Sequence, residues 1–405
     1  VKRAFALHRT FGRALAAVLL FVLLSGAFAA VSIDLEGMLE APGAAVLSDH
    51  ALDAFESSER ARGETVLRLM LPSEEHGAWA LVRREDGFLE RAFFRQDGSV
   101  SSRLPRVGAV QVLRDLHRAL LLGHVGLYAV TPTSLLLMVL LISGVLSQKR
   151  FLWKPQGMQR EARLSSWHRV LGSYAFVPGL FFAVTGAFYI AETLVEDSGG
   201  SLEVVPPRAQ THPGSCATRM MLVDVMRLVH EASPGLSPRE VAFTQDDNAL
   251  TVFGPGPTSL VRNIGSFAVV DRCEGRVLGV HLADSNHPLD LAADVVDTLH
   301  FGRFGASLVR AIWWALGILL AALAMTGWLR TAGREGFRRD ALAFFAVLAG
   351  LTARGVFRTW DELSPSGLVA LALVLLAYLV LVALVLTTQR NSAAGRGSSR
   401  TNVNQ

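Results

Sequence analysis

The sequence predicts a membrane all-α helical bundle: a duplicated four-helix core plus about two C-terminal helices, with two small extracytoplasmic α+β domains. Three observations lead there. The chain is 51% hydrophobic, its mean hydropathy is +0.37, and several apolar runs reach the ~20 residues that cross a bilayer as helix. A stretch occurs twice: His8-Arg9-x-x-Gly12 leads to Ser25-Gly26-Ala27-Phe28, and His168-Arg169-x-x-Gly172 leads to Thr185-Gly186-Ala187-Phe188. Basic residues crowd the short connections, whereas the two long connections are polar.

In order, residues 1–33 hold the first membrane helix and 34–115 the first extracytoplasmic domain. Residues 116–147 form the second membrane helix, 148–167 a basic cytoplasmic loop and 168–194 the third helix. The second extracytoplasmic domain covers 195–297 and the fourth helix 298–330. Two further helices fill 331–390, and a Ser/Gly/Asn-rich disordered tail closes the chain at 391–405. The apolar runs themselves are Arg13–Val31, Leu121–Leu146, Val170–Thr193, Leu308–Leu329, Ala341–Phe357 and Gly367–Thr387. The fifth is short and interrupted by Arg354, which leaves a re-entrant or interfacial piece as its alternative. The first resembles a signal peptide in length and flank, but its His8 and Gly26 match an internal span, so it is read as a retained helix.

Lys2, Arg3 and Arg9 precede the first span, Lys149, Arg150, Lys154, Arg160 and Arg163 fill the loop after the second, and Arg330, Arg334, Arg338 and Arg339 follow the fourth. Short basic loops stay cytoplasmic, so both termini are placed inside. The net charge of +4 thus serves topology, and no nucleic-acid partner is implied. The two cysteines, Cys216 and Cys273, fall in the second outside segment, where a disulfide or two free thiols are both open. Alternating residues predict strands at Thr65–Leu71, Ala78–Arg83, Glu90–Arg95 and Ser99–Arg103 in the first domain. The second has a helix over Met221–Ala232, then strands at Val241–Thr244, Ala249–Phe253, Ser266–Asp271 and Arg276–His281.

The repeat extends downstream: Leu116-His117 stands 27 residues before Ser143-Gly144, and Leu299-His300 stands 27 before Thr326-Gly327. With Val270-Asp271-x-x-x-Gly275-Arg276-Val277, these motifs resemble the PepSY-associated transmembrane family of bacteria, over roughly residues 1–330. That family includes iron-regulated inner-membrane proteins and siderophore-reducing members. The resemblance implies a four-helix haem-carrying core with PepSY-like outside domains, and a ferric siderophore as electron acceptor.

The residues themselves carry a parallel argument. Ionisable groups at membrane spans are functional candidates by default, and neutral imidazole ligates haem iron. A repeat axis along the membrane normal pairs His8 with His168 at the inner face and His117 with His300 at the outer face. The expectation is two haem b groups, each held by two histidines. Gly26 and Gly186 would make room at the outer haem, Gly144 and Gly327 at the inner one; helix packing is the competing role for each. Arg9, Arg169, Arg118 and Arg303 are the candidate propionate partners. Twenty-seven helical residues span ~40 Å, more than the ~30 Å hydrocarbon core, so a bend is expected, with Pro132 and Gly302/Gly305 as candidates. His124 competes with His117, but its repeat counterpart is Ser307. No dinucleotide fingerprint, P-loop or Gly-x-Ser-x-Gly elbow occurs. The electron donor is therefore a separate partner, a quinol or a cytoplasmic flavoprotein, and the enzymatic reading is a membrane ferric-siderophore reductase. The alternative is a structural or regulatory PepSY protein that binds a peptidase or an iron-uptake transporter without redox activity.

Overall fold

The structure is a computed structural model. It describes residues 2–40, 49–72, 77–95, 97–148, 160–202, 204–206, 218–244, 248–257, 260–262 and 264–397. Helices α1 (Lys2–Ala30), α2 (Ser32–Glu40) and α3 (Asp49–Ala61) precede strands β1 (Thr65–Met70), β2 (Trp79–Arg83), β3 (Leu89–Phe94) and β4 (Val100–Pro105). Then come α4 (Ala109–Ala119), α5 (His124–Val130), α6 (Pro132–Ser147), α7 (Arg160–Asp197) and α8 (Leu222–Ala232). Strands β5 (Glu240–Phe243), β6 (Ala249–Gly254), β7 (Ser266–Asp271) and β8 (Arg276–His281) follow, then α9 (Pro288–Phe301), α10 (Ser307–Thr359) and α11 (Pro365–Gly397).

Among the described residues five helical stretches are long and apolar enough to cross a membrane: Lys2–Ala30, His124–Ser147, Arg163–Asp197, Ser307–Ala332 and Arg339–Phe357. The protein is a multi-pass membrane protein. The expected sixth span is corrected, because the apolar part of α11 described here, Pro365–Val380, is shorter than the other five. Around the centre, α1 packs on α6 and α10, and α7 closes the ring by packing on the same two helices. Helix α10 carries two of the spans and doubles back. Ser307 bonds Asp34 just past the end of α1, and Gly355 meets Leu121 at that same face. Between them, Gly327 lies against His168 and Gly336 near Arg13, at the opposite face.

The expectation of an all-α bundle with two small separate α+β domains is overturned. The two long connections form a single eight-stranded antiparallel sheet, ordered β4-β3-β2-β1-β5-β6-β7-β8. The strands lie close to where the sequence puts them, but β1 and β5 pair, with Arg68 opposite Ala242, Leu69 opposite Val241 and Met70 opposite Glu240. Each four-stranded meander alone would leave a ladder edge unpaired at this position, and the pairing removes both edges. One hydrophobic core serves both halves, joining Leu52, Phe55 and Leu69 to Leu222, Val225, Val241 and Val252. Polar bonds cross the seam as well. Arg272 donates to both oxygens of Glu56 at 2.7 and 2.9 Å, Arg68 pairs with Glu240 at 2.8 Å, and Leu222 N–H donates to Asp53 at 2.8 Å. Cys273 is disulfide-bonded; Cys216 lies outside the described residues.

A buried arginine ties the sheet to the helices. Arg91 on β3, with a side chain 4% exposed, pairs with Glu36 and Glu40 of α2. Glu40 also accepts from Ser364 Oγ and Ser366 N at the start of α11. A lone buried charge costs several kcal/mol, and these carboxylates and hydroxyls offset it.

Candidate functional site

The four repeated histidines meet in two pairs, as the repeat predicts. His8 of α1 faces His168 of α7 with ring centroids 6.1 Å apart. His117 of α4 faces His300 of α9 at 6.3 Å. All four rings are half-buried. His124 stands exposed at the start of α5, and His117 takes the place on this side.

Each imidazole is seated on the Ser/Thr-Gly step of another helix. His8 Nδ1 lies 3.0 Å from Leu140 O and 3.3 Å from Ser143 Oγ. His117 Nδ1 lies 2.9 Å from Val22 O and 3.5 Å from Ser25 Oγ. His168 Nδ1 is 3.1 Å from Thr326 Oγ1, and His300 Nδ1 is 2.8 Å from Thr185 Oγ1. These contacts fix the tautomer. A main-chain carbonyl only accepts, so Nδ1 of His8 and His117 carries the proton. Thr326 and Thr185 donate their own hydroxyl hydrogens to Leu323 O and Phe181 O, so they accept from His168 and His300. In all four rings, then, Nε2 keeps a free lone pair, the atom that binds a metal. Burial, with His117 beside it, pushes the His300 pKa down to about 4, and burial lowers that of His117. Both therefore stay neutral near pH 7.

The glycines expected to clear space for a cofactor lie against the histidine rings themselves. A Cβ on Gly26 would sit 2.7 Å from His117 Cε1, and one on Gly327 2.9 Å from His168 Cε1. At Gly144 the distance to His8 is 3.2 Å; at Gly186 the distance to His300 is 3.7 Å. Their hydroxyl neighbours were legible too, since Ser or Thr precedes Gly in all four copies.

His117 and His300 were expected at the starts of membrane helices, and this is corrected. They sit near the C-terminal ends of α4 and α9, two short helices that stop abruptly. Leu120 (φ 52°) and Leu121 (φ 60°) turn left-handed after α4, and Gly302 (φ 68°) does so after α9. Gly302 is one of the predicted bends. Pro132, another of the predicted bends, opens α6 directly after the break at Thr131 that separates it from α5. The breaks resolve the length problem: the histidines lie outside the spans that follow them.

The arginines divide. Arg9 is exposed. Arg169 Nε is buried without a hydrogen-bond partner, and Arg330 lies within electrostatic range of Arg169, His8 and His168. The sequence reading assigned Arg330 only to topology. Arg118 lies within range of Asp115. Arg303 stacks over Phe301 at 5.0 Å and approaches Asp297 at 3.8 Å. Tyr189, also unforeseen, packs on His300 at 5.4 Å and donates to Asp297 at 3.0 Å. Among the described residues no three His, Cys, Asp or Glu side chains converge as a metal-binding group.

The family model described as the PepSY-associated TM region matches residues 4–334. The chain belongs to this family. No match was found among curated proteins. The PepSY-associated region takes in all four histidines, all four Ser/Thr-Gly seats and the whole sheet, and it ends where α10 doubles back.

Proposed function

We propose that this protein is a dihaem b-type electron carrier of the bacterial inner membrane, with both termini cytoplasmic, passing electrons outward. The observation that carries the reading is the meeting of two histidine pairs whose four Nδ1 atoms all lie against carbonyl or hydroxyl oxygens, which leaves Nε2 as the atom available to a metal. Two metal–nitrogen bonds of about 2 Å and two ring radii of roughly 1.15 Å place the centroids of a bis-imidazole metal about 6.3 Å apart. The separations of 6.1 and 6.3 Å fit that sum. A porphyrin supplies its own four equatorial nitrogens, so two protein ligands per site are enough. The orphaned Nε of Arg169 beside Arg330 suits a propionate carboxylate at the inner site, and Arg118 or Arg303 would serve the outer one.

When bound, haem supplies one-electron chemistry. The protein's part would be to hold one haem with His8 and His168 and the other with His117 and His300, one site near each face. His8 and the seat of His117 mark the two ends of α1, since Gly26, against which His117 packs, lies 18 residues beyond His8. At ~1.5 Å per residue that is about 27 Å, most of the hydrocarbon thickness. The acceptor we favour is ferric iron in a siderophore, in line with the family resemblance, and the donor is a quinol or a cytoplasmic flavoprotein. The test is a dithionite-reduced absorption spectrum of detergent-purified protein with a haem assay. Two b-type haems per chain are expected. A colourless protein would overturn the reading and leave the PepSY scaffold role in its place.

A further inference from the structure

A cavity of about 780 Å³ opens at the inner face, between the first half of α1 and the second span of α10. Both of these spans start at that face, so depth increases with residue number along each. The walls change with depth. Arg9, Thr10 and Arg13 on α1 and Asp340 on α10 line the shallow end. Ala17 and Phe344, each four residues further on and ~6 Å deeper, line the other. Helix α1 is buried over much of its second half, but Arg9, Thr10 and Arg13 are exposed. The cavity is thus open where the charges stand. Among the described residues neither arginine forms an ion pair, whereas Asp340 is paired with Arg339 at 3.4 Å. The shallow end therefore carries two unmatched positive charges.

We propose that this cavity binds one anionic phospholipid, its phosphate between Arg9 and Arg13 and its acyl chains entering past Ala17 and Phe344. Charge sets the class of ligand. Arg9 and Arg13 stand one helical turn apart on one face, and a guanidinium donates paired N–H bonds to phosphate oxygens. A neutral ligand would leave both charges unmatched. A zwitterionic headgroup would bring an ammonium beside its phosphate, which the arginines repel. The gradient of the walls separates a lipid from a free anion. Inorganic phosphate would satisfy the shallow end and leave the apolar end uncovered, whereas a phospholipid fills both. Basic pockets between membrane helices take anionic headgroups on these grounds, and the volume suits a headgroup with the start of its chains. Asp340 opposes the ligand only weakly, because Arg339 already offsets its charge. This binding does not rest on the dihaem reading.

The experiment is native mass spectrometry of full-length protein in detergent, titrated with phosphatidylglycerol. One lipid per chain should saturate before a second binds, at least tenfold more tightly than phosphatidylcholine. Binding should weaken at least tenfold in the Arg9→Gln, Arg13→Gln double variant and in Ala17→Trp, which fills the apolar end. Asp340→Asn removes the one carboxylate and should hold or tighten it. Circular dichroism melts check that each variant is folded; should the double variant not fold, Arg13→Gln alone should still lose at least threefold. Equal affinity for phosphatidylcholine, or binding unchanged without the arginines, overturns the proposal. So does a loss of binding in Asp340→Asn, which would mark a neutral or cationic ligand. Displacement by millimolar inorganic phosphate, with Ala17→Trp silent, would mean a free-anion site and overturn the lipid assignment.

Discussion

The inner and outer histidine pairs are built from one repeated pattern, yet their surroundings differ. At the inner pair both histidines stand on long membrane helices, α1 and α7, and the nearby charges are the arginines Arg169 and Arg330. At the outer pair both stand on short helices that end in left-handed turns, and His300 is ringed by Tyr189, Phe182 and Phe301 at 5.4–6.0 Å. What the halves share is the seat: a hydroxyl or carbonyl for Nδ1 and a glycine beneath the ring. The duplication has kept the part that aims a lone pair and let the electrostatic setting diverge. That division is expected if aiming is the strict requirement and charge the adjustable one.

The strongest way to break the comparison is to remove ligands. His8→Ala and His168→Ala should each abolish or convert to five-coordinate one haem of two, and the double variant should add little. His117→Ala and His300→Ala should share the other defect, whereas a double drawn from both pairs should leave no haem. Haem content and spin state by absorption decide it. Full haem content in all four single variants would end the dihaem reading.

The glycines give a graded version. Alanine at Gly26 or Gly327 intrudes on the imidazole at 2.7 or 2.9 Å, at Gly144 at 3.2 Å, and at Gly186 at only 3.7 Å. Haem retention should fall most for Gly26→Ala and Gly327→Ala, less for Gly144→Ala and least for Gly186→Ala. Equal losses at all four would mean that the glycines act through helix packing and not through the rings.

Acid sharpens the outer half. Burial lowers the His300 pKa from its ordinary 6.5 to about 4. The unfolded chain then takes up the proton first on acidification. The neutral imidazole's contribution is complete above pH 6.5 and is lost as the pH falls toward 4. In haem-depleted protein the thermal midpoint should drop across that window, and His300→Gln should flatten the profile. A profile unchanged by His300→Gln would show that other groups set the acid response.

The smallest effect separates the two kinds of seat. His117 keeps Val22 O when Ser25 is lost, so Ser25→Ala should be nearly silent. The Nδ1–H of His300 relies on Thr185 Oγ1, and Thr185→Val should cost about 1 kcal/mol at that site. Haem dissociation rates at the outer pair measure the difference; a faster rate for Ser25→Ala than for Thr185→Val would reverse the assignment.

Much of this arrangement was legible because spacing records it. The four histidines, their pairing and the Ser/Thr-Gly steps recur at fixed intervals, and alternation marks the eight strands to within about two residues at either end. What was hidden depends on contacts between distant segments. Nothing in Thr65–Met70 announces that its free edge belongs to Glu240–Phe243, since alternation specifies faces and not neighbours. The break after α4 falls on Leu120 and Leu121, residues that rarely turn left-handed, so no Gly or Asn betrays it. Arg330 carries a charge that topology already explained, and only its position beside Arg169 reveals a second use. The apolar run of α11 read as a full span, although its apolar stretch, Pro365–Val380, is shorter than the five candidate spans.

The shared seam between β1 and β5 also sets an order of assembly. The Arg68–Glu240 pair joins residues 172 apart, so at ~5–20 residues per second the first meander waits on the order of 10–30 s for its neighbour during synthesis. Through that interval its edge strand is open, and α6 and α7 must have entered the membrane with the correct sense before the partner strand can arrive on the same side. A nascent chain with either helix misinserted would never complete the sheet. The seam thereby acts as an internal check on topology, and its open edge would mark a failed chain for proteolysis.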